Sequence, residues 1–153
     1  MLLRRSVEMS KRVYHLIALL LFSLGSLALA QEFKRYKGAK ADTAATEAAM
    51  RLAATEPGLE VTVYVTSDPF EKVCDFYKSV GHEFQTIGKR TRKLPNGQEL
   101  RDAFIILDDA KNTLTSKMWV KIQRPYIGGG LDRKGASAEE IRDVTAIVLT
   151  QRK

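Results

Sequence analysis

Residues 59–81, LEVTVYVTSDPFEKVCDFYKSVG, change their periodicity halfway, and that change decides the fold class. From Leu59 to Thr66 the pattern alternates. Val61, Val63 and Val65 take one side, Thr62, Tyr64 and Thr66 the other, and all suit a pleated surface. From Pro69 onward the spacing is helical. Phe70, Val73, Cys74 and Tyr77 fall at i, i+3, i+4 and i+7, Phe76 and Val80 widen the stripe, and Glu71, Lys72, Asp75, Lys78 and Ser79 take the opposite face. At the joint, Asp68 is expected as the N-cap, Pro69 as the first helical residue and Glu71 as the capping-box partner. Gly81 is expected to end the helix in the left-handed conformation. The predicted unit is a strand followed by a helix over 69–80.

The same region holds the only cysteine of the chain and, in His82, the only histidine downstream of residue 15. Cys74 lies inside the apolar stripe, where a thiol behaves as a small hydrophobe. A nucleophile would need a base and an electropositive, accessible setting. His82 follows eight residues later, over two helical turns away, which does not favour a pair. Its expected place is the helix exit, against the last carbonyls.

Outward from this core, the Ala-rich block ADTAATEAAMRLAATEPG predicts a helix at about 43–55, capped by Asp42 or Thr43 and ended by Glu56-Pro57-Gly58. With Met50 and Leu52 its only bulky apolar side chains, it is expected to pack loosely or lie on the surface. Segments 83–94 and 98–109 flank Pro95-Asn96-Gly97 and predict a long hairpin. Met118 to Gln123 predicts a further strand, stopped by Pro125, and Trp119 faces away from Met118, Val120 and Ile122 to cover the second sheet face. Gly128-Gly129-Gly130 marks a loop, Ser137 to Glu140 a short helical turn, and Val144 to Thr150 a last strand. The order α-β-α-β-β-β-β implies an α+β fold: a single, mostly antiparallel sheet with the 69–80 helix on one face.

Residues 1–30 read as a signal peptide. Arg4, Arg5, Lys11 and Arg12 precede the apolar run VYHLIALLLFSLGSLALA, which ends in the small-x-small site Ala28-Leu29-Ala30. Met9 is an alternative start, and an uncleaved leader serving as an anchor is the minority reading. Cleavage after Ala30 leaves residues 31–153 as one α+β domain and takes the net charge from +7 to +4. That is far below the basic density of nucleic-acid binders, so nucleic acid is not an expected partner. With one cysteine, no internal disulfide can form even in an oxidising compartment.

Three pieces carry a resemblance. Tyr36-Lys37-Gly38-Ala39-Lys40, the stretch VTVYVTSDPFEKVCDFYKS and the closing VTAIVLT resemble a group of uncharacterised exported bacterial α+β proteins with a Y-x-G-A-K start and a T-S-D…V-x-x-F-Y helix. The resemblance implies a small exported domain and no particular activity. The run from Asp68 to Gly81 is also similar to the helix of a βαβββ module in the glyoxalase and dioxygenase superfamily. That similarity implies a dimer with a paired-sheet cavity for a small molecule or metal, and makes Glu60 and His82 the residues to examine.

The sequence shows no convergent catalytic set, and neither a metal nor a cofactor is expected, so a binding or envelope-associated role ranks above an enzyme. The candidate anion-binding site is the basic hairpin tip, Lys89, Arg90, Arg92 and Lys93, with Arg101 placed near it. The candidate small-molecule or partner surface is Trp119, Tyr126 and His82. Expected partners are a protein, a glycan or an anionic envelope component, with peripheral membrane contact and a homodimer also in view. The expected location is periplasmic or secreted.

Overall fold

A computed structural model describes residues 32–84, 90–94, 96–128 and 141–153. The alternating stretch forms β2 (Leu59–Thr66), and the helical stretch forms α2 (Phe70–Lys78). Before them come β1 (Lys40–Ala41) and α1 (Thr43–Ala53). After them come β3 (His82–Glu83), β4 (Arg90–Lys93), β5 (Glu99–Ile106), β6 (Met118–Arg124), β7 (Tyr126–Ile127), β8 (Ile141–Arg142) and β9 (Thr145–Arg152). The main sheet runs β1-β2-β9-β6-β5-β3, with β4 also on β5, and every pairing is antiparallel. β7 and β8 form a separate ribbon. The fold is α+β, as the change of period implies. The expected 137–140 helical turn lies outside the described residues.

Registers assign the side chains to two faces, because neighbours in a strand alternate. Tyr64, Ile147, Ile122 and Ala103 line up across four strands on the first face; Val63, Val148, Lys121 and Phe104 line up on the second. The first face is covered by α2, whose Phe70, Val73, Cys74 and Tyr77 are buried as the spacing requires. Beside α2, the segment from Phe33 to Ala39 covers the rest. Phe33 stacks on Tyr64 and Tyr77, and Tyr36 meets Phe76 edge-to-face.

Both expected ends of α2 are corrected. The N-cap position is Pro69, with no side-chain cap; Asp68 directs its carboxylate elsewhere, and Glu71 pairs with Arg101 instead of reaching back. At the other end Ser79 closes the helix in right-handed geometry, its N–H donating to the carbonyls of Asp75 and Phe76 at 3.1 Å. Gly81 is not left-handed. A Cβ there would lie 2.3 Å from the Ile106 carbonyl oxygen, so glycine is required for close backbone approach where the chain joins β5. The expected hairpin turn is present: Leu94 N–H donates to Gln98 O at 2.8 Å, Gly97 N–H donates to Leu94 O at 2.9 Å, and Gly97 has φ 81°. Its first arm is divided between β3 and β4.

α1 serves the second face and the open edge of β2 together. Ala45 is buried against Val63, Tyr126 and Ala146. Asp42 is the N-cap, accepting from Ala45 N–H at 2.9 Å. Along the strand edge, Val63 N–H donates to Thr46 Oγ1 at 2.9 Å and Val61 N–H to Met50 Sδ at 3.0 Å. Four helical residues rise about 6 Å and two strand residues about 6.6 Å. Side chains at i and i+4 therefore meet alternate strand amides, and an edge that would template further pairing is closed. The helix described as loosely packed has a specific task.

Two outcomes follow from this packing. Gly81→Ala should destabilise the protein by about 1–3 kcal/mol, the usual cost of forcing atoms into a filled space; an unchanged denaturation midpoint would show that the backbone there has room. Thr46→Val keeps the shape but removes the acceptor, so amide exchange at Val63 should accelerate selectively, with a stability loss of about 1–3 kcal/mol. Equal Val63 protection in both proteins would refute the edge role.

Candidate functional site

The predicted basic tip is in part committed to the fold. Arg92 lies 3.6 Å from the carboxylate of Asp102, which is only 3% exposed. A buried charge is retained only with a partner, so Arg92 counters Asp102 before it can serve a ligand. Lys93 is exposed, while Lys89 and the side chain of Arg90 lie outside the described residues. Arg101 lies in the hairpin opposite Thr91, as expected, but on the other face from Arg92: its guanidinium lies over the Phe70 ring at 5.2 Å and pairs with Glu71.

His82, Trp119 and Tyr126 do not converge. His82 is exposed on β3 opposite Ile106, in the edge strand rather than against helix carbonyls. Trp119 is the other neighbour of Ile106, buried, with the Arg152 guanidinium 5.5 Å from its ring. Tyr126 is buried farther along the same side, among Ala45, Val63 and Ala146. Glu60 and His82 lie on β2 and β3, four strand steps apart and so roughly 19 Å. Among the described residues no three His, Cys, Asp or Glu side chains gather around a metal position. Cys74 is buried in the core.

Asp68, one of four acids in the opening stretch, makes a different constellation. Tyr36 Oη donates to Asp68 Oδ2 at 2.7 Å, and Lys72 Nζ donates to both carboxylate oxygens at 3.2 Å. The backbone carbonyl of Asp68 accepts from Thr145 Oγ1 at 2.6 Å and from Arg124 Nη1 at 3.0 Å. Arg124 continues to Ser67 O and Asp143, so the α2 entrance, the end of β6 and the start of β9 share one knot. The Tyr36 hydroxyl, followed by Lys72, holds the Asp68 carboxyl below its ordinary range, while burial and then the Asp68 bond raise the Tyr36 phenol. These bonds bind the Y-x-G-A-K and T-S-D motifs to each other.

Docking Phe33 and Tyr36 fixes a row of cations that the sequence reading did not single out. Lys34, Arg35, Lys37 and Lys40 are all exposed, and Glu32 is the one acid among residues 32–40. Lys34 lies 5.8 Å from the Phe76 ring centroid and Arg35 6.0 Å from that of Tyr64. The retrievable signal was the interleaving in Phe33-Lys34-Arg35-Tyr36-Lys37: aromatics three apart turn inward and leave the cations outside.

Tyr36→Phe should lower thermal stability at neutral pH and raise the Asp68 pKa. The depressed native pKa means that this contribution is present above the unfolded value near 3.8 and is lost as pH falls through the lower native value. The gap between the melting temperatures of the two proteins should therefore close on acidification. A gap that stays the same as the pH is lowered through the acid range would show that the hydroxyl does not act through Asp68. No helix among the described residues is long and apolar enough to cross a membrane. No protein-family model, curated protein or solved structure matches this chain.

Proposed function

We propose that this is an exported, non-enzymatic domain of the cell envelope that associates with anionic phospholipid headgroups. Export rests on the leader pattern of residues 1–30. The observation that carries the binding reading is the strip Lys34, Arg35, Lys37 and Lys40. It holds four exposed cations against one acid, on a segment fastened by Phe33 and Tyr36. A fixed backbone gives up little conformational freedom on binding, so the charges act with less entropic loss than on a loose tail. The basic hairpin adds Lys93 as a secondary contact. Asp68 and Lys72, already paired, leave the local balance unchanged.

Each cation near an anionic leaflet contributes about 1 kcal/mol, or about fivefold in affinity. Co-sedimentation with vesicles containing phosphatidylglycerol should therefore weaken about fivefold for each of Lys34→Gln, Arg35→Gln, Lys37→Gln and Lys40→Gln, and should fall with added salt. Retention on neutral phosphatidylcholine vesicles should be absent. Binding that is indifferent to all four changes would reject the strip, and preference for a sulfated glycan over the vesicles would assign the cations to a glycan instead.

A further inference from the structure

On the second face, the β7–β8 ribbon stands opposite α1 and leaves a pocket of about 220 Å³. Asp42, Ala44, Ala45 and Ala48 give one wall, and Tyr126, Gly128 and Arg142 the other. The alanines at 44, 45 and 48 share one side of α1, so the composition that made the helix look featureless is what keeps this space open. Tyr126 is 6% exposed overall; its hydroxyl has no protein hydrogen-bond partner among the described residues and is not a fully buried atom, so it stays open to solvent and to a ligand.

Arg142 is held in place twice. Its guanidinium lies 4.9 Å from the Tyr126 ring centroid, and Nη2 lies 2.7 Å from Asp42 Oδ2. The other Asp42 oxygen caps Ala45 N–H, so both carboxylate oxygens are engaged. Arginine carries five N–H donors, and the pair with Asp42 uses only part of that fork. The positive end of the α1 dipole lies at the same place. The balance of an arginine, a helix N-terminus and an unpartnered phenol against one occupied carboxylate favours an anion, and the methyl-lined wall favours an apolar tail beside it.

We propose that this pocket binds a small monocarboxylate with a short unbranched hydrocarbon tail, the carboxylate accepting from Arg142 and the Tyr126 hydroxyl and the tail lying on Ala44, Ala45 and Ala48. Butyrate is the probe, and butyramide is its neutral counterpart of the same size. Titration of the protein followed by amide resonances should show saturable butyrate shifts centred on Ala44, Ala45 and Ala48, with butyramide at least tenfold weaker. Arg142→Gln should weaken butyrate at least tenfold. Ala48→Leu, a change well tolerated in a helix that fills the space, should abolish the shifts while leaving the rest of the spectrum dispersed. Should Arg142→Gln not fold, Tyr126→Phe supplies the polar test, with an expected loss of about fivefold. The assignment is overturned if butyrate shifts do not saturate, if butyramide binds equally well, or if Ala48→Leu leaves butyrate binding intact.

Discussion

Asp68 uses both its side chain and its backbone to join parts of the chain that are far apart in sequence. Its carboxylate holds Tyr36 from the first strip of the domain and Lys72 from α2; its carbonyl holds Thr145 and Arg124 from the last strand and the end of β6. If Asp68 only capped α2, the helix would gain one local bond. Acting across the sheet, it fixes where α2 starts relative to β9 and leaves Pro69 at the cap position, where a missing N–H costs nothing.

The second organising constraint is that this sheet has two apolar faces and few large elements to cover them. α2 covers β5 and β6 on the first face, and the aromatic segment 33–39 covers the remainder through Phe33 and Tyr36. On the second face α1 is thin because five of its eleven residues are alanine, so it can approach β2 closely enough for Thr46 and Met50 to accept strand amides. A bulkier helix would stand off from the strand, losing those bonds and leaving the edge open. The ribbon of β7 and β8 completes the cover, with Ile127 and Ile141 against Leu94 and Leu100.

Charge is divided between cations that serve the fold and cations that face solvent. Arg92 answers the buried Asp102, Arg101 answers Glu71, and Arg124 fastens three backbone carbonyls, so density of basic residues in the sequence is a poor guide to free positive surface. The strip at Lys34, Arg35, Lys37 and Lys40 differs because its intervening aromatics, not its cations, do the anchoring. That distinction moves the weight of the functional reading from the hairpin tip to the N-terminal segment.

Periodicity settled the principal elements: alternation gave β2, the 3.6-residue stripe gave α2 with the right buried face, and the Asn96-Gly97 turn placed the β4–β5 connection, while β1, the β7–β8 ribbon and the split of the hairpin's first arm into β3 and β4 were not legible. These are local effects, decided by which side of a strand or helix each residue occupies, and the sequence carries them directly. The roles of individual residues were decided only by packing. Asp68 and Glu71 form a capping box on paper, but partners from residues 36 and 101 took them. Gly81 reads as a helix stop, but the carbonyl of Ile106 is what excludes a side chain there. The pocket at Tyr126 joins residues more than eighty positions apart, which no spacing rule can bring together. Local pattern determines which face is apolar; only the tertiary structure decides what meets that face, because partners distant in the chain compete with nearby ones for every polar group left at a helix end or a sheet edge.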